Sequence, residues 1–119
     1  MREKGFIKDS KVVSLLNDIE KEIQKIYGND LKDIILYGSY AKETNDNYSD
    51  IDIMILLKKK DPELKPYRKK LIQAITDISL KYDVVISAID KNFNEFSEYA
   101  AYVPFYKNVF NEGIEIYAS

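Results

Sequence analysis

Residues 50–57 read Asp-Ile-Asp-Ile-Met-Ile-Leu-Leu, and no other stretch limits the fold as much. Successive side chains of a strand point to opposite faces. Ile51, Ile53 and Ile55 therefore share one face, which must be buried, while Asp50, Asp52 and Met54 share the other. The pattern predicts a strand packed on a core, with two carboxylates side by side at its start.

The neighbouring segments supply the rest of a sheet. Ile34-Ile35-Leu36-Tyr37 is β-branched, too short for a helix and cut off by Gly38, so it reads as a second buried strand. The polar link from Ser39 to Ser49 is too short for a crossover helix, which makes the two strands antiparallel neighbours. Before them, Val12, Leu16, Ile19, Ile23 and Ile26 recur at spacings of four and three, one face of a helix. Asp9 or Ser10 can cap its start, and Gly28 with Asn29 can end it. After them, Asp61-Pro62-Glu63 signals a second helix, delayed by Pro66, with a stripe of Leu64, Tyr67, Leu71, Ile75, Ile78 and Tyr82. Asp83 is expected to open a third strand, Val84-Val85-Ile86-Ser87-Ala88-Ile89.

The last quarter is aromatic, with Phe93, Phe96, Tyr99, Tyr102, Phe105, Tyr106 and Phe110 in two short helices broken near Pro104. At helical spacing these rings are expected in the core. A chain with 10 Tyr can also use them against a second copy or a partner, so a homo- or hetero-oligomer is the alternative. Gly113 ends the second helix, and Ile114-Glu115-Ile116-Tyr117 reads as a short closing strand. The order α-β-β-α-β-α-α, with a closing β, predicts an α/β (α+β) domain over residues 1–119: one small mixed sheet with helices packed on it.

Two zeros in the composition narrow the chemistry. The 119 residues include neither His nor Cys. That excludes imidazole catalysis, thiol nucleophiles, disulfides and Cys/His zinc sites. Lys plus Arg number 18 against 20 acidic residues, a net charge of −2, with only Arg2 and Arg68 as arginines, so there is no strong nucleic-acid signal. No apolar run approaches the ~20 residues needed to span a bilayer, and Met1 to Ser10 lacks a signal-peptide core. A cytoplasmic protein without membrane attachment is expected.

Chemistry must then come from carboxylates, hydroxyls, Lys or a borrowed metal. Unscreened charges ~4 Å apart repel by about 4 kcal/mol at an effective dielectric of 20. Asp50 and Asp52 would be relieved by a cation between them, and magnesium prefers such hard oxygen ligands together with substrate phosphates. A bare Asp-x-Asp is more often a turn cap and a solvated side chain. Gly38-Ser39 alters that balance, because a Gly ending a strand permits a sharp turn and close approach to a ligand, and Ser39 with backbone N–H groups could hold phosphate. Gly-Ser followed by ten residues and Asp-x-Asp arises by chance in about two chains per thousand at this composition. Asp83 is the third candidate carboxylate. Tyr40 and Tyr48, within the same loop, could stack on a base or shield the loop.

The string Gly-Ser-Tyr-Ala-Lys, followed by Ser-Asp-Ile-Asp-Ile-Met-Ile, resembles the signature of the DNA polymerase beta-like nucleotidyltransferase superfamily, and its minimal nucleotidyltransferase (MNT) branch in particular. The ending Pro-Phe-Tyr-Lys-Asn-Val-Phe with Glu-Gly-Ile-Glu-Ile-Tyr is similar to that branch too. Many relatives carry Arg-Gly after the Ala, whereas this chain has Lys42-Glu43, which keeps a charge without the guanidinium fork. The resemblance implies the polymerase beta-like fold. It implies that Asp50, Asp52 and Asp83 are catalytic and hold two Mg2+ ions. It also implies that Gly38, Ser39 and Lys42 grip the phosphates of ATP or another nucleoside triphosphate. The branch further implies a small HEPN-domain toxin as partner, neutralised by transfer of AMP to one of its tyrosines. The alternatives are an antitoxin that neutralises by binding alone, and a nucleotidyltransferase acting on a small molecule or an RNA end.

Overall fold

The structure is a computed structural model that describes residues 1–46 and 49–119. Tyr48 therefore lies outside the described residues.

Helix α1, Ser10–Tyr27, starts where Asp9 accepts hydrogen bonds from the N–H groups of Lys11 and Val12. It ends at Gly28, whose φ of 55 combined with ψ of −128 favours a residue without a Cβ. It buries Val12, Leu15, Leu16, Ile19, Ile23 and Tyr27, while Ile26 lies at the edge of that stripe. Strand β2, Leu31–Tyr37, runs antiparallel to β3, Ile51–Leu57, with Ile35 opposite Met54 and Tyr37 opposite Asp52. The short polar link forces that pairing, as expected. A single helical turn, α2 (Ser39–Lys42), occupies the start of the link.

After β3 the chain makes one turn of helix, α3 (Asp61–Leu64), and a 3-10 turn through Pro66. Only then does it run regularly as α4, Arg68–Tyr82. Strand β4, Ile86–Asn92, is parallel to β3. Two short helices follow, α5 (Phe93–Tyr99) and α6 (Pro104–Glu112), separated at Val103–Pro104.

The closing strand β5, Ile114–Ala118, does not sit at an edge. It inserts between β2 and the two-residue β1 (Arg2–Glu3), so the described strands form one sheet in the order β1-β5-β2-β3-β4. Gly113 makes this insertion feasible. A Cβ there would stand 2.5 Å from both the Ile35 side chain and the Val109 carbonyl.

The two faces of β3 divide the core. Ile51, Ile53 and Ile55 pack under α1 and α4, and Met54 and Leu56 pack with Ile35 against Phe96 of α5 and Val109 of α6. The sheet is mixed and helices cover both faces, which makes the domain α+β. Among the described residues no helix is long and apolar enough to cross a membrane.

One expectation about this sheet is corrected. Asp83 does not open the third strand. It terminates α4 in the left-handed conformation, φ 52, and the N–H of Val84 returns to the Ser79 carbonyl at 3.1 Å. Asp is among the few non-glycine residues that tolerate this geometry. The strand starts three residues later.

A second carboxylate, Asp33 on β2, is only 6% exposed and lies beside Glu115 of β5. Burial pushes its carboxyl up to about 6, with Lys32 opposing and Glu115 adding to the rise. The native state thus holds this proton more tightly than the unfolded chain does. The associated stability is fully present below the unfolded value near pH ~4 and is lost as pH rises through about 6. Asp33→Asn is expected to gain about 2 kcal/mol at pH 8 and almost nothing at pH 4, at 1.36 kcal/mol per pKa unit with some loss to imperfect amide pairing. Urea unfolding of both proteins at the two pH values checks this. An equal difference at both would mean that Asp33 ionises freely.

Candidate active site

Asp52 is set by register. On β3 it stands opposite Tyr37 of β2 and beside Ser87 of β4, on the same face as Met54. It lies at the margin of the second core, half-buried. Burial first, and the charge of Asp50 second, hold its carboxyl above the usual carboxylate range. Asp50 is exposed and immediately precedes the strand.

Gly38 joins the two halves of the motif. It leaves β2 with φ 76 and ψ −155, a conformation open only to glycine. The Asp52 carboxylate occupies the space that a Cβ on residue 38 would need. The Gly-Ser turn and the second Asp, with twelve residues between them, thus come into direct contact. The turn itself is compact: the Gly38 carbonyl accepts from the N–H groups of Ala41 and Lys42 at 3.1 and 3.2 Å, and Glu43 closes it at φ 61.

Lys42 lies on the same cleft as Gly38, but its ammonium is engaged with Glu112 of α6 at 3.0 Å. Arg2 secures the same junction by donating to the carbonyls of Ala41 and Glu112. Phe105 of α6 meets Tyr37 edge-on, with ring centroids 5.7 Å apart. Burial, then Asp52 and Tyr106, push the Tyr37 hydroxyl up to about 12, so it stays a neutral donor at physiological pH. Tyr37, Gly38, Lys42, Phe105 and Glu112 help to line a cleft of about 240 Å³.

Asp83 stands apart from Asp52. It borders a cavity of about 580 Å³ that Asp50 and Ser49 also line. Among the described residues no three acidic side chains are grouped closely enough to hold one ion. The fold thus brings together Asp50, Asp52, Gly38 and Ser39, places Lys42 next to them, and leaves Asp83 across the Asp50 cavity.

Tyr37, Ser87, Arg2 and Glu112 were not singled out by sequence reasoning. Tyr37 and Ser87 need strand register to reach Asp52. Glu112 has no local signal, since it is brought to Lys42 only by α6 crossing the end of β2.

The donor set suits magnesium. Two carboxylates share one end of a strand, burial first and the neighbouring Asp50 second weaken the acidity of Asp52, and neither has a basic partner among the described ion pairs. Such a pair favours a hard divalent cation.

Residues 16–116 match the nucleotidyltransferase domain family. A Methanocaldococcus jannaschii protein named as a protein adenylyltransferase is 38% identical over 78 residues, 66% of this chain and 77% of its own length. A crystal structure of a toxin–antitoxin with AMP-PNP superposes with a TM-score of 0.59 at 19% identity, covering 87% of this chain and 73% of that one. A structure of tri-AMPylated Shewanella oneidensis HEPN toxin with MNT antitoxin gives a TM-score of 0.55 at 16% identity, over 90% and 72% of the two chains. Both share the mixed sheet and its helices, the polymerase beta-like fold. On the extent of the domain match and of the jannaschii relative, this chain belongs to the nucleotidyltransferase domain family and is a nucleotidyltransferase.

Proposed function

We propose that this nucleotidyltransferase moves AMP from ATP to a tyrosine hydroxyl of a HEPN-domain toxin and acts in the cytoplasm as its antitoxin. The contact between the Asp52 carboxylate and Gly38 carries the reading, because it juxtaposes a phosphate-gripping turn with a cation-binding pair. The protein adenylyltransferase name of the relative and the AMPylated toxin in the second solved complex support AMP as the group and a toxin as the acceptor. The net charge of −2 disfavours an RNA acceptor.

Gly38 and Ser39 receive the outer phosphates, where only glycine permits such close backbone approach. Lys42 reaches them by exchanging Glu112 for phosphate oxygens. Asp50 and Asp52 would hold magnesium, with Asp83 a further ligand for the ion on the acceptor side. When bound, the metal supplies charge stabilisation for the transferring phosphoryl group. The acceptor oxygen forms a bond to the α-phosphorus, the bond from that phosphorus to the bridging oxygen breaks, and pyrophosphate departs in line. The hydroxyl proton leaves to Asp83 or to water in the Asp50 cavity.

The Lys42–Glu112 ion pair favours one competing reading, an antitoxin that only binds. Incubation with magnesium, each α-labelled nucleoside triphosphate and the HEPN protein separates the two. Transfer of label from ATP to a toxin tyrosine is expected. Neutralisation of the toxin without label on any residue would leave the binding-only antitoxin standing.

A further inference from the structure

Phe105, Asn108, Val109 and Glu112 recur on α6 at the spacing of one helix face, and that face turns toward the end of β2. Val109 is its buried member and packs with Met54, on the Asp52 side of the sheet. The other three meet Tyr37, Gly38 and Lys42 across the cleft of about 240 Å³. Two of these residues belong to the surroundings of Asp52 itself. Tyr37 stands opposite Asp52 in register, and the Asp52 carboxylate fills the space of a Cβ on Gly38. The cleft therefore adjoins the carboxylate pair on the same face of the sheet.

The groups around the cleft suit an anion. Lys42 brings an ammonium, Asn108 an amide and Tyr37 a hydroxyl. Asn108 is exposed, and its side chain makes no hydrogen bond among the described residues. Arg2 adds a second cation at the same junction, where it donates to the carbonyls of Ala41 and Glu112. Against them stands one carboxylate among the described lining residues, Glu112, which holds Lys42 at 3.0 Å. Both partners of that pair are about half exposed, so water and salt weaken it, and an anion of higher charge displaces it. The cavity of about 580 Å³ beside Asp50 has the opposite character. Its described lining includes Asp50 and Asp83 but no Lys or Arg, which disfavours a polyanion.

We propose that the cleft between α6 and the Gly38 turn is the pyrophosphate subsite, in which Asn108 donates its amide to the outermost phosphate and Glu112 is the internal anion that this phosphate displaces from Lys42. This rests on the nucleotidyl transfer reading above and adds two residues to it. Cleavage at the α-phosphorus leaves pyrophosphate in the cleft, carrying the bridging oxygen and its electron pair. Glu112 then competes for Lys42 again, which favours release of the product.

The test is an NMR titration of the full 15N-labelled chain with magnesium pyrophosphate, AMP and magnesium-ATP as separate probes. Pyrophosphate and ATP are expected to shift the amides of Gly38, Lys42, Asn108 and Glu112, and AMP is not. Asn108→Ala should weaken pyrophosphate and ATP about tenfold, the effect of losing one hydrogen bond to a charged group, and leave AMP unchanged. Glu112→Gln should tighten both about threefold at low salt, and the gain should shrink as salt is raised. Both residues are exposed, so the free variants should keep the native amide spectrum away from α6 and the turn. Pyrophosphate affinity unchanged in both variants, pyrophosphate weakened by Glu112→Gln, or AMP weakened by Asn108→Ala as much as pyrophosphate would each overturn the proposal. Label transfer from ATP with both variants binding pyrophosphate like the native protein would remove the subsite and leave the nucleotidyl reading intact. Pyrophosphate held in the cleft as expected, without label transfer from any nucleoside triphosphate, would do the reverse.

Discussion

Replacing both Asp50 and Asp52 with Asn is expected to lower nucleotidyl transfer by about 10³-fold or more, since the charge that positions and neutralises the phosphoryl group is lost. The folded protein should survive the change. Asp50 is exposed, and Asp52 makes no described hydrogen bond that an amide would break. Stability at neutral pH should rise. Burial and the Asp50 charge hold the Asp52 carboxyl above its ordinary range, so the folded state prefers the proton. The stabilisation from that preference is present below the unfolded carboxylate value and is lost as pH climbs through the raised native one. Asn stays neutral throughout and escapes the loss. A binding measurement separates these effects from misfolding. Magnesium with ATP should raise the Tm of the native protein, because a ligand that binds only the folded state stabilises it by mass action. The same additions should leave the double variant unmoved. A doubly substituted protein that still transfers label at the native rate would place the chemistry elsewhere.

Much of this site was legible because its residues are local. The alternation from Asp50 to Leu57 fixes the faces of β3 without any knowledge of its partners. Gly38 marks the end of β2 through its own backbone needs. Their contact was not legible, since it depends on Tyr37 pairing with Asp52 rather than with a neighbour one residue away. A one-residue slip would have turned Asp52 into the α1–α4 core. The position of β5 was hidden for a similar reason. Its apolar pattern says strand, but only the close passage of Gly113 against Ile35 selects an interior place beside β2. Asp83 shows the limit from the other side. The apolar run Val84–Ile89 invited a strand beginning at the preceding Asp, whereas the helix before it needed a left-handed terminus and took that residue. Lys42 was expected to help grip phosphate because of the resemblance of the sequence around it. Its partner Glu112 comes from a helix 70 positions later, and no pattern around either residue announces the pair.

Gly38→Ala is expected to cost about 3 kcal/mol of stability, a fall in Tm of roughly 10–15 °C for a chain of this size, and to remove most activity. Two contributions add. A Cβ at φ 76 and ψ −155 is strained wherever it is placed, and here it also collides with the Asp52 carboxylate. Gly28 isolates the first contribution. Its φ of 55 and ψ of −128 are equally foreign to alanine, yet no atom lies within 4 Å of its Cβ position. Gly28→Ala should therefore cost only the backbone strain, about 1–2 kcal/mol, and leave transfer intact. Combining Gly38→Ala with Asp52→Ala removes the carboxylate from the collision. The remaining Asp52 Cβ lies at 3.5 Å, an ordinary contact. The double variant should then recover the stability of Gly28→Ala without recovering activity, a coupling of about 1–2 kcal/mol between the two positions. Thermal unfolding of the native protein, Gly28→Ala, Gly38→Ala, Asp52→Ala and the double variant measures it. Strictly additive losses would mean that Asp52 swings away from residue 38 at little cost, and that glycine is needed there for its backbone alone.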